Sequence, residues 1–447
     1  MQREDYELSV KRTIILLFHL CVCLLFSSCA NTPINNGDTK EAAGAHATDG
    51  KEDHRIHTEK ESMELQTITV GALRTDDARD LGRFVAYHNS VSTEYHAEIK
   101  YYEDENQIRL DIASGNAPDI LELRGVNIPL NDQNFLDLLP YIERDESLSI
   151  EDFSGNLPEA LKIDGKIHLL PDSFSVYTVK GRSADVGDEP GWSLQDLEKL
   201  LEEKGEQVRA FSAGMPPEAI LHWFYIASVE QLVDAEHYRC DFTSETFIDM
   251  LRFCASSKMQ MDSDRFIEND DPLLTFTWIQ SVDVLMNANT VWSGQELAGR
   301  EAVTYIGFPN TERNCGSAFG AGYSEQQYAI PANSRQPEAA WAYLRVMLGS
   351  EWQQKTKSMP VMESDMLQVI EDALQKYEVT WEEAGVDRFM DLIERMDAYA
   401  YEFNTITLIM EEEAQACFSG EKSAEETAAL IQNRVTMYLN EIKPGGE

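Results

Sequence analysis

Polar side chains that follow short apolar runs are the first candidates for chemistry in this sequence. Arg74 and Asp76 come after Thr67-Ile68-Thr69-Val70, and Glu122, Arg124 and Asn127 after Asp119-Ile120-Leu121. Two rings, Trp223 and Tyr225, stand in a short apolar run behind Pro216-Pro217. Carboxylates, guanidinium groups and amides give directional hydrogen bonds, and aromatic rings stack on apolar faces. Such groups suit the reversible capture of a small polar molecule. Covalent chemistry has less support. No GxSxG, no HExxH and no phosphate-binding glycine loop occurs. The acidic stretch from Asp262 to Asp271 lacks the sixth-position glycine and the regular oxygen spacing of a calcium loop, so it reads as a solvated loop. The 79 acidic residues bring some carboxylates close together but single out no pair for glycoside hydrolysis.

Strand-end positions presuppose strands. Thr67 to Val70 reads as a strand ending at Gly71, and apolar residues recur at helical spacing from Asp77 to His88. Ala97, Ile99 and Tyr101 alternate as a second strand; Ile108 to Ala113 is a short helix stopped by Gly115; Asp119 to Leu123 is a third strand. Strand, helix, strand, helix, strand is the pattern of a parallel sheet with helices on its faces. Ligands of such sheets sit beyond the carboxyl ends of the strands, which is where Leu73, Arg74 and Arg124 to Asn127 fall. Downstream, Pro337 suits a first helical turn, with Ala340, Trp341, Leu344, Met347 and Leu348 on one face and Gly349 as a stop. Ser423 and Glu426 form a capping box ahead of Ala428, Ile431, Val435, Leu439 and Ile442. Trp278 and Trp341 read as core, and Trp192 as a helix-start residue.

The amino-terminal stretch is of another kind. Lys11 and Arg12 precede an apolar run from Thr13, which ends in Phe26-Ser27-Ser28-Cys29. A short basic region, an apolar run and small residues are the grammar of an export signal. The run is shorter than the roughly 20 residues needed to span a bilayer. Its end resembles the lipobox of bacterial lipoproteins, in which cleavage precedes the cysteine and the thiol carries lipid. Ala30 to Met63 has almost no large apolar residue and reads as a solvated tether, its histidines included. The whole chain has 447 residues and a formal net charge of -42, which excludes nucleic acid as a partner. Beyond Cys29 the cysteines are widely spaced, with no CxxC pair, so a zinc knuckle is not supported and most read as small buried hydrophobes.

A series of short segments resembles, in order, the extracellular solute-binding proteins of the sugar type (family 1), the wider family of the maltodextrin-binding protein. Ile112-Ala113-Ser114-Gly115-Asn116-Ala117-Pro118-Asp119-Ile120 is similar to that family's signature. Phe135 to Tyr141, Asp164 to Pro171, Trp192 to Leu197, Val291 to Gly294, Tyr305 to Pro309, Tyr328 to Pro331, Pro337 to Trp341 and Ser358 to Val361 resemble further family segments. The likeness spans residues 65 to about 365.

The resemblance implies an α/β, two-lobed periplasmic-binding-protein-like fold: each lobe a mainly parallel sheet flanked by helices, with a hinge and an interlobe cleft. It divides the chain into a signal peptide (1–28), a tether (29–64), the first part of lobe 1 (65–175), the first part of lobe 2 (176–307), a return segment of lobe 1 (308–350) and a helical part packing on lobe 2 (351–447). Asp172, Ser173 and Ser175 then lie at the first crossing between lobes. Trp292 sits in the family's aromatic loop and becomes the leading stacking candidate, with Trp223 and Tyr225 next. Tyr401 and Asn404 fall where the family sometimes supplies cleft groups, and Asp119 is expected to hold its loop together. The implied function is that of a lipid-anchored binding protein of an ABC importer, on the extracytoplasmic face of the cell membrane. It would be a monomer without cofactor, metal or catalytic residue, taking a small solute, a sugar or oligosaccharide, to the permease subunits. A surface lipoprotein enzyme acting on glycans and a ligand sensor without a transport partner are the other readings.

Overall fold

The computed structural model describes residues 65–443, apart from 75–78, 206–207, 212–214, 235–236, 257–271, 289–290, 293–294, 297–301, 311–313, 321–325, 357 and 401–404. Cys29, Asp76, the acidic stretch from Asp262, Tyr401 and Asn404 therefore lie outside the described residues, as does the side chain of Trp292.

In chain order the elements that matter are β1 (Gln66–Leu73), α1 (Arg79–Val91), β2 (Tyr95–Tyr102), α2 (Glu105–Ser114), β3 (Ile120–Glu122), β4 (Leu170–Pro171) and β5 (Ser173–Arg182). Then come α3 (Pro217–Ile226), α4 (Glu245–Ala255), β6 (Leu274–Ile279), α5 (Val282–Ala288), β7 (Val303–Tyr305), β8 (Ala318–Gly320) and β9 (Gln327–Ala329). The rest are α6 (Pro337–Met347), β10 (Met359–Pro360), α7 (Glu363–Tyr377), α8 (Val386–Arg395), β11 (Ala398–Ala400), α9 (Thr405–Phe418) and α10 (Ala424–Ile442).

The first sheet has the order β2-β1-β3-β9-β4. β2, β1 and β3 are parallel, while β9 runs antiparallel to both β3 and β4. Local chemistry places its turns. The Asp104 carboxylate caps α2 by accepting the Gln107 N–H, and Gly115 ends it at φ 72. Asp119 accepts the N–H and the hydroxyl of Thr69 on β1, so it fastens the loop before β3 as the sequence suggests. Phe84 of α1 packs on Tyr343 of α6 and on Trp352, with ring centroids 4.8 and 4.7 Å apart. Each such buried ring contributes about 1.5–3 kcal/mol, more than any surface ion pair in the molecule. Trp352 therefore belongs with the first lobe, a little beyond the boundary expected at 350.

The second sheet has the order β6-β5-β8-β11, with β7 and β10 also paired to β5. Only β8 and β11 run parallel, so both sheets are mixed rather than mainly parallel. Strand alternation gives its two faces separate partners. Phe174, Val176, Ile279, Phe319 and Tyr399 point to one face, where they join a core continuous with the first lobe and with α5, α7 and α8. Val179, Leu274, Ala318 and Ala400 point to the other, where they join a second core with α3, α4, α9 and α10. Phe308 also packs in that second core, so the return segment enters the first sheet only at Gln327, later than the expected 308.

The chain passes between the lobes along β5, β8 and β11, and these three strands are direct neighbours. Ser175 pairs with Gly320, and Gly320 with Ala400, so one row of small residues crosses all three.

Candidate functional site

The carboxyl end of β3, the end of β4 and the start of β9 meet at one edge of the first sheet. Glu122 closes β3 and is 5% exposed, facing Tyr328 in register. Its Oε1 accepts the Arg124 N–H at 3.2 Å, and the Arg124 Nε lies 3.8 Å away. Burial pushes the Glu122 carboxyl up to about 7; the Arg124 guanidinium pulls it down but does not prevail. Asp172 is also buried. Its Oδ1 accepts the Gln326 N–H and the Ser173 hydroxyl, each at 2.9 Å, and its own N–H donates to the Gln326 carbonyl at 2.8 Å. Gln353 donates to the Asp172 carbonyl and accepts the Val361 N–H. Asp172 thus ties the β4–β5 crossing to the start of β9. Gln327, beside Gln326, donates to the Tyr399 hydroxyl on β11.

The other polar candidates are engaged elsewhere. Arg74 is exposed, pairs with Glu103 at 2.8 Å and lies over the Tyr101 ring. Ser175 is fully buried in the small-residue row of β5. Asn127 gives its side-chain amide to the Thr405 hydroxyl of α9. Glu105 accepts the Asn127 N–H, and Arg109 donates to the Asn127 carbonyl, so α2 holds that loop in place.

Rings gather on the second sheet. Every interior residue of β5 is buried except Tyr177. Tyr177 stacks on Trp223 of α3, with centroids 4.5 Å apart and planes at 27°, and on its cross-strand partner Trp278 of β6 at 5.6 Å and 10°. Trp223 also lies parallel to Phe308 at 5.6 Å. The rings therefore run Trp278, Tyr177, Trp223, Phe308. Gly320 makes room for this row: a Cβ there would lie 2.6 Å from Cε2 of Tyr177. His222 sets its edge against Trp223, and its Nδ1 is 3.2 Å from Glu411 Oε1 on α9.

The sequence candidates fare unequally. Trp223 is in the ring row, but Tyr177 and Phe308 both lie parallel against it. Tyr225 has no exposed surface and packs on Phe242, a core position set by the helical spacing of α3. The backbone of Trp292 forms a two-residue ladder with Gln295–Glu296. Trp192 is buried and donates its indole N–H to the Gly307 carbonyl. Trp278, read from sequence as core, is half-buried in the ring row and belongs to neither core. The sequence does not single out Tyr177 as a site residue, because its place in the row depends on strand register with Trp278, far along the chain. The alternation of Leu274, Phe276 and Trp278 was the available signal for a ring-bearing strand face.

Among the described residues no group of three or more His, Cys, Asp or Glu could hold a metal, and no helix is long and apolar enough to cross a membrane. The thiols of Cys240, Cys254, Cys315 and Cys417 are unpaired, and burial pushes that of Cys315 up to about 12.

No family model matches the sequence, and no curated protein matches it. Solved structures do match. The sugar-binding protein MalE of the phytopathogen Xanthomonas citri is similar with a TM-score of 0.56 and 15% identity, over 84% of this chain and 98% of its own. An extracellular solute-binding protein family 1 structure from Alicyclobacillus acidocaldarius gives 0.52 and 16%, over 85% and 99%. A chain described as a de novo designed cysteine esterase gives 0.55 and 13%, over 84% and 98%. With two large sheets, two cores and three neighbouring crossings among the described residues, this chain has the two-lobed α/β fold that these structures share, the fold of sugar-binding proteins and of extracellular solute-binding proteins.

Proposed function

We propose that this protein captures a small solute between its lobes and delivers it to the permease of an ABC importer. The solute is a sugar or oligosaccharide, and the protein is held at the extracytoplasmic face of the membrane through lipid on Cys29. The observation that carries the reading is the pairing of a polar sheet edge with an aromatic row across three neighbouring crossing strands. Hydroxyl groups suit Glu122, Arg124 and Gln327, and an apolar sugar face suits the rings. A ligand touching both walls binds the closed arrangement better than the open one, and so shifts the population toward closure. The proposed domain division takes 65–175 with the return segment as lobe 1 and 176–307 with 351–447 as lobe 2, but α5, α7 and α8 pack in the core continuous with the first lobe, so the second lobe proper is built on α3, α4, α9 and α10. No nucleotide or catalytic motif accompanies the cleft, so ATP hydrolysis belongs to other subunits.

The test is a thermal-shift screen of purified protein against sugars, polyols, peptides and polyamines. A ligand that binds only the folded state raises the melting temperature by mass action. A sugar hit supports the reading; shifts with amines or peptides alone would replace the sugar with another solute class.

A further inference from the structure

Glu122 closes β3 at the polar edge of the first sheet and is 5% exposed. An ionised carboxylate has about four acceptor positions, and a buried one normally has them filled. Among the described residues one donor reaches this carboxyl, the Arg124 N–H on Oε1, and none reaches Oε2. The Arg124 Nε stays at 3.8 Å, beyond hydrogen-bond reach. Asp172 is better supplied, with the Gln326 N–H and the Ser173 hydroxyl on its Oδ1. The titratable and charged groups around Glu122 are Arg124 on its own loop, Tyr328 of β9, Tyr343 of α6 and Asp172, which acts on both tyrosines. Burial holds the two phenols above their ordinary range, so they stay neutral where a carboxyl titrates. With one N–H to replace its lost hydration, the Glu122 carboxyl is better off neutral. Its titration near 7 agrees with that geometry.

We infer that solute capture expels a proton from Glu122: a hydroxyl of the solute supplies the donor that the fold withholds, and the carboxyl receives it as a carboxylate. The inference rests on the solute-capture reading and adds to it a control of affinity by pH. The carboxyl O–H bond breaks, its electron pair stays on oxygen, the proton leaves to the buffer, and the solute O–H donates to the new carboxylate. A hydrogen bond to a charged acceptor is roughly twice as strong as one between neutral groups, which favours the exchange. Beside Arg124 the carboxylate has no net charge to be offset, so the solute that suits it is neutral and rich in hydroxyls.

Titration calorimetry of the full-length protein with maltose and cellobiose, at pH 6 and pH 8, tests this. The better-bound sugar is expected to bind about tenfold more tightly at pH 8 than at pH 6. At pH 6 about one proton should leave on binding, read from the difference in heat between phosphate and Tris buffers. Glu122→Gln keeps the shape but has no proton to lose, and should bind with the same affinity at both pH values. Circular dichroism checks that the variant is folded; where it is not, the proton count on wild type decides. Equal wild-type affinity at both pH values, with no proton released, overturns the inference and leaves the capture reading standing. A pH dependence that persists in Glu122→Gln overturns it too, because another group then carries the proton. If wild type binds neither sugar at either pH, the sugar reading falls and takes this inference with it.

Discussion

Asn127 and Thr405 join the two lobes: the side-chain amide in the loop after β3 donates to the hydroxyl at the first residue of α9. Tyr438 of α10 lies near the same Thr405, and α2 braces Asn127 through Glu105 and Arg109. Both lobes thus present ordered partners to one contact that needs no ligand. A net hydrogen bond of about 0.5–1.5 kcal/mol changes an equilibrium by roughly two- to tenfold. Asn127→Ala should therefore shift the unliganded protein toward the open form by about that factor. Small-angle scattering without ligand should show a larger radius of gyration. An unchanged profile would mean that the contact does not govern opening.

Asp172 fastens one crossing to another through its carboxylate and its backbone. Hydrogen bonds to a charged group are worth about 1.5–3 kcal/mol. Asp172→Ala should lower stability in urea by about 3 kcal/mol. A loss below about 0.5 kcal/mol would show that Gln353 and the strand pairing suffice.

Glu122 makes a prediction about pH. Its carboxyl titrates near 7 in the fold, because burial disfavours the charge, against 4.5 ordinarily. Between these values the folded protein holds the proton and the unfolded chain does not, so this group makes stability fall as pH rises from 4.5 to 7. Glu122→Gln removes that fall. The variant should match wild type near pH 4.5 and exceed it by up to about 3 kcal/mol at pH 8. Urea midpoints at the two pH values provide the comparison; an equal offset at both would rule out the carboxyl's titration as the cause.

Gly320 keeps the Tyr177 ring in its row. A methyl group at that position meets the ring at 2.6 Å, with the Ala400 carbonyl at 3.3 Å on another side. Gly320→Ala should displace the ring, change the near-ultraviolet circular dichroism and cost about 1–3 kcal/mol. An unaltered aromatic spectrum would mean that the backbone moves instead.

Cys29 carries the membrane proposal. Wild type expressed in a bacterium should partition into detergent, and Cys29→Ser into the aqueous phase. Aqueous partition of both would remove the lipid.

Local patterns were the legible part of the fold. The opening strand–helix alternation, the capping box at Ser423 and Glu426, and the loop-holding Asp119 are all written within a few residues, and the structure has them. The site was less legible because its partners are far apart in the chain. Tyr177 meets Trp278 and Trp223 only through strand register and helix packing. The burial of Tyr225 depends on which face of α3 turns inward, and a run apolar all round leaves that open. Asn127 and Asp172 follow strands, but their side-chain hydrogen bonds go to protein groups 278 and 154 positions away, which no local pattern reveals.

β9 stands between β3 and β4 in the first sheet. Its residues emerge from the ribosome some 150 positions after those of β4, since Gln327 follows Pro171 by 156. Until then β3 and β4 both carry bare edges, and the sheet cannot close. A nascent chain stopped anywhere in that interval holds two sticky templates for misassembly. The long loop to be closed also makes slow folding the expectation. The late arrival of one short strand thus keeps the first lobe unfinished while the chain is still being made.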